Sequence, residues 1–124
     1  ATWEDAVDEM YRRCEADSRL PHNMRFNHSL LNSALTMLGV LYGEGDFAAT
    51  IGLAVAGGRD TDCTGATAGS LLGCALGRRA LPEHLIAPLH DRYSSDMAGC
   101  HALSFTDLTE RTLAIAAQLG HFRE

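Results

Sequence analysis
Apolar and polar residues recur along this chain at helical spacing, and a few glycines and prolines divide it into segments. In the first segment Trp3, Val7, Met10 and Cys14 fall on one face with Ala6 and Tyr11 beside them, and Thr2 followed by Asp5 is a capping pattern. This predicts an amphipathic helix over 3–16. Residues 20–27 contain Pro21 and show no period, which predicts a loop. From Ser29 onward Leu30, Leu31, Ala34, Leu35, Met37, Leu38, Val40 and Leu41 cover most of a helical circumference, so this helix is expected to be central and buried.

Gly43-Glu44-Gly45 ends that run, and Asp46 is placed to cap a helix over 47–57. A buried strand through Ile51 to Ala56 competes for the same apolar stretch; the alanines favour helix. After Asp62, Gly65, Gly69, Gly73 and Gly77 stand at every fourth position, which stacks them along one helical face. The three interior glycines cost roughly 2 to 3 kcal/mol relative to alanine, so another helix backbone or a ligand should lie against this face, and close helix packing is the favoured reading. Gly77 suits a helix end and Pro82 the first turn of a short helix over 82–87. Residues 88–104 have no period and predict an irregular, exposed connection. A last helix runs from Phe105 to Leu119, with Ser104 and Asp107 as its capping signal.

A length of 124 residues bounds the chain to one domain, 1–124, and 46% apolar with 21% charged residues is a globular composition. A net charge of −6 leaves no basic stripe for phosphates, so nucleic acid is not expected as a bulk electrostatic partner. No segment approaches the ~18 to 20 apolar residues of a membrane span and no signal pattern opens the chain, which gives a soluble, cytoplasmic expectation. Cys14, Cys63, Cys74 and Cys100 are widely separated and form no CxxC pair, so reduced, buried thiols are expected. The six histidines form no zinc-spaced pair.

The chemistry concentrates in Gly58-Arg59-Asp60-Thr61-Asp62-Cys63-Thr64. Residues two apart lie on opposite faces of a helix, so Asp60 and Asp62 converge only where the backbone is extended or turning, and Gly57-Gly58 permits such a break. Two carboxylates held close call for a cation, and paired hard oxygens suit Mg²⁺, Mn²⁺ or Ca²⁺ rather than Zn²⁺. The competing reading is that either acid simply caps the next helix, accepting a bond from the amide of Thr64 or Gly65. Cys63 at a helix start could also be an activated thiol, although no histidine lies near it in sequence.

The run Leu41-Tyr42-Gly43-Glu44-Gly45-Asp46-Phe47, then Gly57 through Gly73 with its Asp60-Thr61-Asp62-Cys63, then Leu81-Pro82, resembles the C-terminal part of the ADP-ribosylglycohydrolase family over roughly residues 27 to 115. The resemblance implies an all-α fold, a single orthogonal helical domain of five to six helices, here an incomplete fragment of it. In that family two Mg²⁺ ions bind ADP-ribose and position the water that hydrolyses its glycosidic bond. It therefore implies metal ligation by Asp60 and Asp62. Many members place a Thr ligand where this chain has Cys63, and an Asp-Thr-Asp-Cys version resembles one bacterial branch, which usually has Asn where Thr64 stands. Cys63 is carried as the third ligand, and Gly58, Thr61, Thr64 and His28 as substrate-binding positions. His28-Ser29 with Asn32 resembles a His-Thr-x-x-Asn segment of the same branch, and a hydrogen bond that fixes the helix start or the pocket wall is the role expected of His28. The N-terminal Gly-Asp and Thr-Asp-Asp motifs of the family are not found in the chain.

The expected activity is Mg²⁺-dependent (or Mn²⁺-dependent) hydrolysis of the bond between ADP-ribose and an acceptor, this chain supplying the C-terminal metal-binding half. The partners expected are ADP-ribose or an ADP-ribosylated substrate, the N-terminal half or a second chain, and a further copy of the chain. The alternatives are a non-catalytic helical module with an incomplete metal site, comparable to the family's lens-crystallin relatives, and one chain of a two-chain enzyme.

Overall fold
A computed structural model describes residues 1–17 and 28–120, so the loop expected over 20–27 lies outside the described residues. The chain is all-α: six α-helices are described, with one two-stranded ribbon. It divides into two compact units, Ala1–Pro82 and Glu83–Glu124.

The first unit holds four helices: α1 (Trp3–Ala16), α2 (Ser29–Tyr42), α3 (Phe47–Ala56) and α4 (Thr61–Leu76). Their starts follow the capping chemistry in the sequence. At α1, Thr2 Oγ1 accepts from Asp5 N and Asp5 Oδ2 accepts from Thr2 N, a reciprocal box that satisfies two otherwise unpaired amides. At α2, His28 Nδ1 accepts from Leu30 N at 3.2 Å, the role expected of it. At α3, Asp46 Oδ1 accepts from Ala49 N at 2.7 Å. The stretch Ile51 to Ala56 is helix, so the strand alternative is set aside.

Val7, Leu31 and Leu35 form the buried core between α1 and α2, with Trp3, Met10, Tyr11, Cys14 and Leu38 packed around them. Helix α2 touches α1, α3 and α4 and is central as expected. It is not buried on all sides: Leu30 and Leu41 are 67% and 65% exposed, and Met37 is exposed as well. Its three neighbours cover only the side that carries Leu31, Leu35, Thr36 and Gly39.

The tightest backbone approach lies between α2 and α3. A Cβ on Gly39 would come within 2.8 Å of the Thr50 carbonyl and 2.9 Å of the Ala54 amide, so only glycine lets the helices meet there. The glycine face of α4 packs on α3 through side chains. Cβ atoms at Gly65, Gly69 and Gly73 would meet Val55, Ile51 and Phe47 in turn, so a ridge of residues four apart fills a groove of residues four apart. A helix does pack on the three interior glycines, but it meets them with side chains rather than with the backbone expected, because Val55, Ile51 and Phe47 fill the space the missing Cβ atoms leave.

The second unit has a short helix α5 (Glu83–Ile86), a 3₁₀ turn at Ala87–Leu89, strands β1 (Arg92–Tyr93) and β2 (Leu103–Ser104), and helix α6 (Phe105–Gln118). The strands pair antiparallel, Arg92 opposite Ser104, inside the stretch expected to be irregular. Asp91 makes this possible. Its carboxylate accepts from Ser104 Oγ at 2.6 Å and from Thr106 N at 3.0 Å, which ties the start of α6 to the residue before β1. Two residues per strand carry too little alternation to be read from sequence.

Candidate metal centre
Helix α3 ends at Gly57, and the chain turns into α4 through two consecutive left-handed residues, Gly58 (φ 82°) and Arg59 (φ 67°). Asp60 then occupies the N-cap of α4, and Thr61, Asp62 and Cys63 form its first turn. The break expected from Gly57-Gly58 therefore brings the two acids to one place. Oxygens of Asp60 and Asp62 and the Cys63 sulfur lie within 4.8 Å of one another, with Asp60 half-buried and the other two exposed.

Capping does not explain Asp60. It stands at the capping position, yet its side chain accepts no cap bond from the helix. Its Oδ2 instead accepts from Asn32 Nδ2 of α2 at 3.2 Å. It is also hydrogen-bonded to the Cys63 thiol, which with the charges of Asp60 and Asp62 pushes that thiol above its ordinary range. A helix N-terminus ordinarily acidifies a thiol, but the neighbouring carboxylates prevail here. The neighbouring carboxylates favour the protonated thiol, so the nucleophile reading gains no support. The expectation of buried cysteines is corrected too: Cys63 and Cys74 are exposed, Cys14 and Cys100 half-buried, and all four are free.

Beside the acids a cavity of about 400 Å³ opens between α2 and α4. Ser29, Asn32, Ser33 and Thr36 line it from α2, and Cys63, Thr64 and Thr67 from α4, with the apolar Met37 and Leu71 further along each helix. The remaining expected positions fall around it as follows. Thr64 borders the cavity, but its hydroxyl donates to the carbonyls of Thr61 and Ala54 at 3.3 and 3.4 Å, as suits a residue 1% exposed. Thr61 is half-buried at the first helical position, and Gly58 lies within the turn. His28 caps α2 immediately before Ser29.

Asn32 is legible in sequence only as part of a resemblance, and Ser33, Thr36 and Thr67 are not singled out by any motif. A signal is nonetheless present. Residues 29, 32, 33 and 36 are polar at i, i+3, i+4 and i+7 on an otherwise apolar helix, which marks a polar stripe along one face.

The described helices thus bring two acids together at a loop-to-helix junction, and one of them, Asp60, is hydrogen-bonded to Asn32 in the wall of the cleft. The sequence model of the ADP-ribosylglycohydrolase family matches residues 1–121. The chain belongs to that family. No curated protein and no solved structure matches it. No described helix is long and apolar enough to cross a membrane.

The acid pair fits a hard divalent cation: two carboxylates converge, and one of them is withheld from the helix cap. Two carboxylates would fill only part of an octahedral shell, and water or groups beyond the cluster would have to complete it.

Proposed function
We propose that the chain supplies the metal-binding part of an Mg²⁺-dependent ADP-ribosylglycohydrolase, acting on the glycosidic bond that joins ADP-ribose to an acceptor. The observation that carries this reading is the placement of Asp60, at the capping position without a cap bond and converging with Asp62. Asp60 and Asp62 would hold the ion; Mn²⁺ meets the same donor preferences. When bound, such an ion orients a diphosphate and a water and stabilises developing charge.

The chain's own residues set the surroundings. Asn32 donates to Asp60 Oδ2 and so orients that carboxylate from the cleft wall. Ser29 and Ser33 set hydroxyls into a cavity wall that is otherwise largely apolar, a mixture that suits a sugar ring with its hydroxyl groups.

Calorimetric titration of Mg²⁺ and Mn²⁺ into wild type, Asp60→Asn and Asp62→Asn tests the reading. Both variants are expected to lose most of their cation affinity while keeping wild-type helicity by circular dichroism. Unchanged affinity in both would sink it, and with it the metal centre.

A further inference from the structure
We propose that Tyr11 is a positioning residue for the Asp60–Asp62 pair, a proposal that rests on the metal-centre reading. Tyr11 lies on α1, far from the acids in sequence and absent from the cavity wall. Its hydroxyl donates to the Gly57 carbonyl across 46 residues of chain. Its ring lies beneath the Arg59 guanidinium, with Cζ 4.9 Å from the ring centroid. Between these two residues, a Cβ added at Gly58 would stand 3.6 Å from the same hydroxyl oxygen. One aromatic side chain thus contacts the residues on either side of Gly58, in the turn that delivers Asp60.

That turn needs support. It contains a non-glycine residue in the left-handed region, where a Cβ crowds the backbone, next to a second left-handed residue. The carbonyl that Tyr11 holds belongs to the end of α3, where carbonyls lack helical partners. The cation–π contact fixes the side chain of the strained residue itself. Any relaxation of Gly58 and Arg59 rotates the next residue, and Asp60 is that residue. Tyr11 therefore acts on the cation through the turn, as a ligand's outer partner does.

The test measures Mn²⁺ affinity of the full chain by electron paramagnetic resonance, which counts free Mn²⁺ and needs no turnover. Tyr11→Phe keeps the ring over Arg59 and removes the bond to Gly57; Tyr11→Leu removes both contacts. Affinity is expected to fall severalfold in the first and about tenfold or more in the second, the usual scale for an outer partner of a ligand. Val7→Ala is the control, because it loosens the same α1–α2 core without touching the turn. It should lower the melting temperature and leave Mn²⁺ affinity unchanged. Wild-type affinity in both Tyr11 variants, alongside loss of binding in Asp60→Asn, overturns the proposal and leaves the metal centre standing. An equal loss of affinity in Val7→Ala overturns it as well, since the effect would then be one of stability. Absence of Mn²⁺ binding by the wild-type chain overturns both readings.

Discussion

Asn32 Nδ2 donates to Asp60 Oδ2 at 3.2 Å, joining the wall of the cleft to the first acid of the pair across 28 residues of chain. Neither residue is fully exposed, so the bond is partly shielded from water and matters more than a surface contact. Asn32→Asp would set a carboxylate against a carboxylate. The variant is expected to be less stable than wild type without metal, by about 1–3 kcal/mol, the cost of leaving such a group without its partner. Mg²⁺ should recover much of that loss, because a third acid raises the charge that attracts it. Thermal melts with and without Mg²⁺ check this; equal losses under both conditions would contradict it.

The thiol of Cys63 reports on the same acids. Its hydrogen bond to Asp60, and then the charges of Asp60 and Asp62, raise its pKa, so at mildly alkaline pH less of it is thiolate than for an ordinary cysteine. Iodoacetamide should therefore label Cys63 slowly, and faster in Asp60→Asn, where both the bond to a carboxylate and one negative charge are gone. Peptide mass spectrometry at a fixed pH reads the rate, and no acceleration in the variant would refute control of the thiol by the Asp60 carboxylate.

The glycines of the helix contacts are not equivalent. At Gly39 a methyl group would strike backbone atoms of Thr50 and Ala54, which cannot move without separating α2 from α3. Gly39→Ala is expected to destabilise by about 1–3 kcal/mol. At Gly69 the nearest atom is Ile51 Cδ1 at 3.2 Å, the mobile end of a side chain. Gly69→Ala should be near neutral, since a helix-propensity gain of up to ~1 kcal/mol offsets a small repacking. Gly69→Leu overfills the groove and is expected to destabilise. Urea unfolding of the three variants ranks them, and a Gly39→Ala protein as stable as Gly69→Ala would contradict backbone contact at Gly39.

Glu9 on α1 bonds both Arg12 and Arg13, at 2.6 and 2.7 Å, and the Arg12 bond followed by the Arg13 bond lowers its pKa to about 2 from 4.5. A lowered carboxylate contributes stability above the unfolded value, and that contribution is lost as pH falls from about 4.5 through about 2. All three side chains are exposed, so salt screens the pairs and the contribution is small. Glu9→Gln should lower the melting temperature slightly at neutral pH, and the difference should close as pH drops through that window or as salt is raised. A difference that persists at pH 2 would mean the residue acts through helix propensity instead.

Sequence periodicity is enough for the helices of the first unit because each has a local start signal: Thr2 with Asp5, His28, Asp46, and the break at Gly57-Gly58. The acid pair is legible for the same reason, as a local motif. Other features are not. Tyr11 reaches Gly57 and Arg59 through a contact made by folding, and nothing in its own neighbourhood marks it apart from the core face on which it sits. The exposed side of α2 is hidden as well, because an apolar circumference states what a helix could bury and not how many neighbours it has. Leu30, Met37 and Leu41 belong to that difference. The ribbon at Arg92–Tyr93 depends on the Asp91 carboxylate bonding residues 13 and 15 positions on, which no short window contains.

The matched spacing of α3 and α4 has a consequence for how the acids are held in place. Phe47, Ile51 and Val55 repeat every four residues, as do Gly65, Gly69 and Gly73. A ridge and a groove of equal repeat fit again after sliding by four residues, about 6 Å along the axis. Such a seam fixes the direction of the two helices but not their register. Features outside the repeat must stop the slide: the four-residue connection from Ala56 to Thr61, and the Thr64 hydroxyl on the Ala54 carbonyl. The same short connection that carries Asp60 therefore also sets how far α4 lies along its neighbour, so a residue inserted there would displace the acids and the glycine seam together.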